Sequence, residues 1–286
     1  LGAYVLSMIR GEHQSKGGSS PIIRFILGFF VMIGALMFLG CPLRMILRLG
    51  GGDLNALFGI AGFAGGVGIG TIFLKSGYSL QRTYALSKLE SAIMPAIQVG
   101  LLVLVVTAPA FIFFSQKGPG AMHAPWLISL AAGLVVGGLS QYSRLCTVGG
   151  FRDLFLFKKS VLIFGYIAVL VGVFAVNISF GNFHLGFENQ PVSHTDGLWN
   201  FLGMALAGFC SVLLGGCPLR QLIMTGEGNS DSAVTVLGLA AGAAFAHNFG
   251  LAASGAGPTL NGQIAVGIGF VVALIIAVLN TKRSNA

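Results

Sequence analysis

The pentapeptide Gly40-Cys41-Pro42-Leu43-Arg44, GCPLR, recurs unchanged at Gly216-Cys217-Pro218-Leu219-Arg220. When the chain is aligned with itself so that Cys41 matches Cys217, without gaps, ten residues between Gly40 and Gly66 are identical in the two copies. Self-similarity of this kind indicates an internal duplication. We therefore predict two repeats, residues 1–124 and 125–286, within one membrane domain.

The composition is that of an integral membrane protein. Of 286 residues, 55% are hydrophobic and only 8% are charged, and the mean hydropathy is +0.88. Soluble domains carry about a quarter charged residues. The net charge of +8 does not indicate nucleic-acid binding, because Lys and Arg collect in the cytoplasmic loops of membrane proteins.

Eight apolar segments are long enough to span a bilayer. They are Pro21–Leu39, Leu54–Leu74, Ser91–Phe114, Pro125–Tyr142, Ser160–Phe180, Leu198–Leu214, Ser232–Ala253 and Gly262–Asn280. The apolar run Leu1–Ile9 is too short to span and is expected to be the end of a truncated helix. The predicted fold class is an all-α membrane protein with about eight full transmembrane helices and one truncated N-terminal helix.

The distribution of basic residues predicts the orientation. Alternating the segments places the strongly basic loops on one side, which the positive-inside rule assigns to the cytoplasm, together with the C-terminus. The stretch Gly40–Asp53 breaks the rule, since it carries Arg44 and Arg48 on the outer side. Charges that break the rule are expected to be held inside the protein.

The two GCPLR copies are expected to run in opposite directions. Five segments separate them, and an odd shift inverts the second repeat relative to the first. Inverted repeats with short broken helices are typical of transporters whose substrate site lies near the membrane midplane. Each copy is therefore predicted to begin a re-entrant helix, because broken helices at membrane depth line cavities or lie buried in protein.

The chemistry of GCPLR favours anions. Proline suits the first turn of a helix, which puts Cys41 near the N-cap, where free N–H groups and the helix dipole attract negative charge. Arg44 lies on roughly the same helical face. The alternative is a tight turn at the membrane boundary, with the arginine reaching to the headgroups and the cysteine as a small apolar residue.

A third candidate segment runs from Gln141 to Asp153 and contains Arg144, Cys146, Arg152 and Asp153. Cys146 is a candidate for the same path as Cys41 and Cys217. Arg152 and Asp153 either pair with each other's neighbours, as supporting residues of this path, or anchor the cytoplasmic edge. Cys146 precedes Cys217 by more residues than precede Cys41 in this chain, so the duplication predicts a matching motif before residue 1.

Weaker sequence evidence bears on the roles of several further residues. His247 and Asn248 fall inside the seventh segment, where polar groups are functional candidates. The alternative is a neutral histidine bonded to a neighbouring carbonyl. Asp53 and Glu227 either hold the neighbouring arginines or face solvent. Cys210 and the glycines spaced by four residues are expected to serve packing. The remaining histidines, expected in solvated loops, are His13, His123, His184 and His194.

Metal, cofactor and enzyme functions lack a sequence signal. The four cysteines form no CxxC pair, which argues against zinc and iron–sulfur sites, and no cofactor is predicted. No catalytic triad or nucleotide-binding loop is present, so the chain is not expected to be an enzyme.

The residues just described resemble the YeeE/YedE family, which carries a sulphur-transport domain, and most closely its YedE-type selenium-transporter branch. The resemblance covers essentially the whole chain and is carried by both GCPLR copies, by Leu145–Asp153 and by Ala246–Gly250. It implies a multi-pass protein of the bacterial or archaeal inner membrane in which Cys41, Cys146 and Cys217 pass a small sulfur or selenium anion along by S–H contacts. It also implies a small cytoplasmic sulfur-carrier protein as a partner.

Three functions remain to be weighed. Uptake of a sulfur- or selenium-containing anion such as thiosulfate explains the duplicated motifs, with Arg44 and Arg220 beside the cysteines. A membrane thiol/disulfide redox protein needs two close cysteines, and the spacing shows none. A membrane scaffold accounts for the glycines but not for the repeated cysteine and arginine.

Overall fold

A computed structural model describes residues 1–114, 116, 121, 124–159 and 161–281. These residues form twelve α-helices and two two-residue strands, which confirms the predicted all-α class. Three residues that bear on the predictions above, His123, Lys282 and Arg283, lie outside the described residues, so the structure does not test the predictions made for them. The helices are α1 (Gly2–Ile9), α2 (Pro21–Phe38), α3 (Pro42–Gly50), α4 (Asn55–Lys75), α5 (Lys88–Thr107), α6 (Trp126–Ser143), α7 (Thr147–Phe157), α8 (Val161–Ser179), α9 (Gly197–Leu213), α10 (Pro218–Gly226), α11 (Ser230–Asn248) and α12 (Leu260–Leu279), and the strands are β1 (Lys16–Gly17) and β2 (Tyr84–Ala85).

The chain divides into two compact units. The smaller comprises Leu1–Ser19, Arg82–Arg144 and Leu222–Ala233, and the larger comprises Ser20–Gln81, Leu145–Gln221 and Val234–Ala286. Each unit takes segments from both predicted repeats. The repeat limits 1–124 and 125–286 therefore stay a prediction.

The core of the larger unit forms around α9, which packs against α2 and α4. Glycines on α4 allow the close approach: a Cβ added at Gly62 would lie 2.0 Å from the Phe201 carbonyl oxygen, and one at Gly66 would lie 2.0 Å from that of Ala205. Side chains at these positions would push the two helices apart. The predicted packing role of these glycines is confirmed.

Both GCPLR copies interrupt a helix. Leu39 ends α2 in the left-handed conformation, with φ 63°, and Gly215 turns the chain after α9 with φ 81°. Each following helix, α3 and α10, has nine residues and rises ~14 Å, less than half of the ~30 Å apolar core. Each motif thus begins a short helix, as predicted, and its re-entrant placement in the membrane stays a prediction.

The long helices differ from the predicted segments in number and in several boundaries. Seven stretches within the described residues are long and apolar enough to cross a membrane, and α11 is not among them. The fifth helix begins earlier than predicted, at Lys88, because Ser87 and Glu90 form a capping box. It also ends earlier than predicted, at Thr107, since Pro109 disfavours helix in the residue before it.

The smaller unit contains α1, α5 and α6, the pairing of β1 with β2, and the turn between α10 and α11. Here α1 packs on α6 through Gly2, where an added Cβ would lie 2.1 Å from the Leu134 carbonyl oxygen. The short apolar run at the start of the chain is thus a packed helix of eight residues.

Candidate functional site

Three of the four cysteines, all in the larger unit, each stand immediately before a short helix. Cys41 is the N-cap of α3, Cys146 is the N-cap of α7, and Cys217 precedes Pro218, the first residue of α10. The Cys146 sulfur accepts the Gly149 N–H at 3.3 Å. All three sulfurs therefore lie where a helix presents unpaired N–H groups and a positive dipole end.

The structure brings these three sulfurs together. Cys146 and Cys217 lie close together in one buried cluster, and Thr147 also lies near the Cys217 sulfur. Cys41 lies within electrostatic range of Cys217. Cys146 and Cys217 are buried, while Cys41 is half-buried. The close pair of cysteines that the sequence spacing did not reveal is thus formed by two residues that lie far apart along the chain.

The local geometry explains why the pentapeptide is retained as a unit. In the first copy the aliphatic stem of Arg44 lies over Gly40, where an added Cβ would meet its Cδ at 2.9 Å. In the second copy the stem of Arg220 lies over Gly216, where the Cβ would meet its Cγ at 3.1 Å. The glycine thus leaves room for the arginine stem, and Pro begins the helix with a fixed φ.

Arg44 lines a cavity of about 460 Å³ in the larger unit. Its side chain is exposed, and among the described residues no carboxylate forms an ion pair with it. The Asp53 carboxylate also lines the cavity, but Asp53 is paired with Arg48. The remaining polar lining consists of Asn177, Asn182, His184 and Gln190. An unpaired cation among neutral polar groups favours a small anion.

Arg48, which the sequence did not select as a site residue, is buried in a set of polar contacts. It donates to Asp53 Oδ2 from Nε at 2.7 Å, to the Phe38 carbonyl from Nη1 at 2.5 Å, and to Ser193 Oγ from Nη2 at 2.6 Å. The expectation that charges breaking the topology rule are held inside the protein is confirmed for Arg48 and is wrong for Arg44, which is exposed at the cavity. Arg48 ties the end of α3 to α2 and to the loop before α9.

The second copy carries neutral residues in place of this ion pair. In the ungapped alignment that matches Cys41 with Cys217, Arg48 corresponds to Met224 and Asp53 to Asn229. Asn229 instead accepts the Ser232 N–H at 3.1 Å and so caps α11. The two copies share a backbone path but stabilise it differently.

Two side chains lie at the ends of the short helices. The Asn177 amide on α8 donates to the Gly50 carbonyl at 3.3 Å. The Ser7 hydroxyl on α1 lies 3.3 Å from the Gly226 carbonyl oxygen, while its shorter bond, at 2.8 Å, goes to the Tyr4 carbonyl. Ser7 and Asn177 therefore occupy equivalent places. The duplication therefore extends to α1 and α8. The ungapped comparison missed this correspondence because the loop from α1 to α2 and the loop from α8 to α9 differ in length.

The turns after the short helices are also matched. Gly52 and Gly228 have φ of 99° and 98°. The N–H of His184 donates to the Gly51 carbonyl at 2.9 Å, and the N–H of Gln14 donates to the Glu227 carbonyl at 2.9 Å. In both copies a loop that precedes a long helix thus pairs its backbone with the end of a short helix.

Arg144 and Glu227, from the sequence candidates, meet in the smaller unit. Arg144 ends α6 in the left-handed conformation, and its guanidinium contacts Glu12 Oε2 at 2.7 Å and Glu227 Oε1 at 3.3 Å. Gln141 donates to Glu12 at 2.7 Å. That bond, with Arg10 and Arg144, lowers the pKa of Glu12. Glu227 thus pairs with Arg144, and Asp53 pairs with Arg48.

Other predicted positions need correction. Arg152 and Asp153 pair with each other, Nη2 to Oδ1 at 2.8 Å, rather than with their neighbours. His247 and Asn248 do not lie in mid-helix: they end α11 and are exposed, because the helix stops before the turn at Gly250. Cys210 is fully buried in an apolar cluster.

The prediction that His194 lies in a solvated loop is also wrong. It is 2% exposed, and its Nε2 lies 2.8 Å from the Met37 carbonyl oxygen, to which it donates. Burial lowers the pKa of His194, and the nearby positive charge of Arg48 adds to the effect. The local sequence gives no signal of this burial, since the loop around His194 is polar.

Within the described residues no group of three or more His, Cys, Asp or Glu side chains is arranged to hold a metal ion. Helix N-termini and a guanidinium are groups that favour anions.

Comparison with known proteins agrees with this chemistry. A family described as sulphur transport matches residues 142–282, which include Cys146 and the second GCPLR copy. The thiosulfate transporter TsuA of Escherichia coli (strain K12) is 27% identical over 115 residues. That match covers 37% of this chain and only 30% of the relative.

Proposed function

Since this chain belongs to the YeeE/YedE family of multi-pass membrane proteins, we propose that it imports a small sulfur-containing anion. Thiosulfate is the first candidate, because the relative TsuA is named a thiosulfate transporter. A selenium compound is the second, because sulfur and selenium differ little in size. The proposed setting is the inner membrane of a bacterium or archaeon, with the C-terminus in the cytoplasm.

The observation that carries the proposal is the meeting of three cysteine sulfurs at three helix starts. Thiols are weak hydrogen-bond donors, so each contact holds an anion briefly. Conduction through several sites requires binding that is favourable at entry and weak enough for exit. Cys41, Cys217 and Cys146 meet this requirement as successive stations, and the anion moves between them without a covalent step.

The arginines supply the electrostatic part of the proposal. The cavity lined by Arg44 collects the anion on the outer side, one helical turn from Cys41. Arg220 occupies the equivalent position beside Cys217 in the second copy and is assigned the matching role toward the inner side. The guanidinium fork suits an oxyanion, because two of its N–H groups donate in one plane.

Two further parts of the proposal rest on the family resemblance. The two repeats, residues 1–124 and 125–286, are proposed to enter from opposite membrane faces. The released anion is proposed to pass to a small cytoplasmic sulfur-carrier protein. Arg144, Arg152, Asp153, His247 and Asn248 are assigned supporting places outside the thiol path.

A thiol/disulfide redox protein is the second candidate, and the contact between Cys146 and Cys217 favours it. Their burial argues against it, since exchange with a partner protein requires one sulfur to be accessible. A redox-dependent shift in electrophoretic mobility of the wild-type protein would support this candidate.

Uptake measurements test the proposal. Cells lacking their own thiosulfate uptake are given the full-length gene and supplied with 35S-thiosulfate, and in parallel with 75Se-selenite. Accumulation above the empty-vector control, competed by unlabelled thiosulfate, supports the proposal. Wild-type protein that is present in the membrane but accumulates neither label contradicts it.

A further inference from the structure

Tyr166 is a buried tyrosine on a helix that is otherwise poorly covered. It lies on α8, where it is the one buried residue, and it is 6% exposed. Most other α8 residues are apolar, and many of them are exposed, as in a lipid-facing helix. A hydroxyl group at such a position is expected to have a specific partner, because an unpaired one at membrane depth is costly.

The partner of the Tyr166 hydroxyl is the backbone beside Cys41. The hydroxyl donates to the Pro42 carbonyl at 2.5 Å, and Pro42 is the first residue of α3. Because a carbonyl only accepts, this bond uses the single proton of the tyrosine. The hydroxyl oxygen also lies within electrostatic range of the Cys217 and Cys41 sulfurs. The end of the side chain therefore stands near two of the three sulfurs.

The ring of Tyr166 contacts the helix that begins at Cys146. It meets the Phe151 ring edge to face, with centroids 6.3 Å apart and an interplanar angle of 79°. Phe151 belongs to α7 and also packs against Phe63. Tyr166 thus joins α3, through its hydroxyl, to α7, through its ring.

We propose that Tyr166 is a positioning residue, which fixes the start of α3 so that the Cys41 sulfur stands at a set distance from the Cys146–Cys217 pair. This inference rests on the proposed function of the three cysteines. Binding groups must be held within about 0.5 Å of the productive geometry, and the bond to Pro42 acts one residue from Cys41. Tyr166 itself contacts no substrate in this proposal.

The test compares Tyr166→Phe with a matched control, Tyr78→Phe. Tyr78 is also 6% exposed, and its hydroxyl donates to the Leu213 carbonyl at 3.3 Å. It lies near Cys210, in a different apolar cluster from the one that contains Cys146 and Cys217. Each variant loses one hydroxyl and keeps its ring. Two quantities are measured: thiosulfate uptake at equal membrane level, and the rate at which methyl methanethiosulfonate modifies Cys41 in the purified protein, followed by mass spectrometry.

We expect Tyr166→Phe to lower the maximal uptake rate by roughly 2- to 12-fold, the effect of one hydrogen bond, and to change the modification rate of Cys41. Tyr78→Phe should leave both at the wild-type level. If Tyr166→Phe keeps the wild-type uptake rate and the wild-type rate of Cys41 modification, the inference is overturned. It is also overturned if uptake falls while the rate of Cys41 modification is unchanged, since that result indicates a general structural role.

A donor-retaining variant covers the case in which Tyr166→Phe does not fold. With 4-aminophenylalanine at position 166, a donor remains near the Pro42 carbonyl, and uptake and the Cys41 rate should stay near wild type. Loss of both in a folded variant of this kind overturns the inference. If the wild-type protein transports nothing, the proposed function fails, and the Cys41 rate still decides the positioning role.

Discussion

Arg48 and Asp53 form a buried ion pair, with Arg48 Nε 2.7 Å from Asp53 Oδ2 and the side chains 5% and 3% exposed. The guanidinium also lies 4.0 Å from the centroid of the Phe38 ring, and Asp53 Oδ1 accepts from the Asn55 backbone at 2.9 Å. Breaking such a pair leaves an uncompensated buried charge, which costs about 3–5 kcal/mol.

We therefore expect Asp53→Asn and Arg48→Met each to destabilise the protein strongly, by about 3–5 kcal/mol. The double variant carries the residues that the second copy has at these positions, Met224 and Asn229, and should recover most of the loss because no lone charge remains. Thermal unfolding in detergent measures the effect. A double variant as unstable as the two single losses added together would show that the two side chains are not energetically coupled, and would contradict this expectation.

The cysteines of the path should differ from the fourth cysteine in transport. Cys41→Ala, Cys146→Ala and Cys217→Ala each remove an S–H contact and keep a small apolar side chain. Uptake should fall by roughly tenfold or more, the effect of about 1.4 kcal/mol on a barrier. Cys210→Ala is the control, since Cys210 lies in an apolar cluster. Wild-type uptake in all three path variants would leave GCPLR as a structural turn.

Arg44→Lys should impair uptake although it keeps the charge. Lysine lacks the planar fork that donates two parallel hydrogen bonds to an oxyanion. Loss of one charged hydrogen bond, about 1.5 kcal/mol, corresponds to a decrease of about tenfold. Arg82→Lys, in an exposed loop, serves as the control. Equal uptake by the two lysine variants would remove Arg44 from the proposed path.

Stability should fall at acidic pH because of His194. Since burial lowers its pKa in the folded state, the unfolded chain binds more protons below about pH 6.5, and stability is lost as the pH falls from there through the lowered pKa. His194→Gln keeps a donor for the Met37 carbonyl and should show a flatter profile of melting temperature between about pH 7 and about pH 5. His184→Gln, at an exposed position, should follow the wild type. A wild-type slope in His194→Gln would assign the acid sensitivity to other groups.

The two turn glycines should not tolerate alanine. Gly52 and Gly228 have positive φ, and an added Cβ would lie 2.4 Å from the His184 carbonyl oxygen and 2.7 Å from that of Gln14. Gly52→Ala and Gly228→Ala should each cost about 1–3 kcal/mol in backbone strain, with further loss from the clash. The control is Gly172→Ala on α8, which meets nothing within 4 Å. Melting temperatures of the purified variants provide the measurement, and values equal to that of the control would contradict the expected strain.

Much of the fold was predictable because its signals are local. Pro42 and Pro218 start the short helices by their fixed φ, and the apolar runs define the long ones. The end of α5 was predicted too late because an apolar run continues past Pro109, where the backbone can no longer be helical. His247 and Asn248 were placed in mid-helix for the same reason: hydropathy continues beyond the turn that ends α11.

The sequence predicted which residues form the candidate site but not which of them contact one another. By itself, the sequence determined that this is a membrane protein with a duplicated, helix-breaking motif and that Cys41 and Cys217 stand at its helix starts, since residue type and spacing set local backbone preference. Only the tertiary structure decided that Cys217 meets Cys146, that Asp53 pairs with Arg48 and not with Arg44, and that His194 is buried. Those outcomes depend on which distant segments share a desolvated space, and burial there makes each polar group take whichever partner the packing brings within reach.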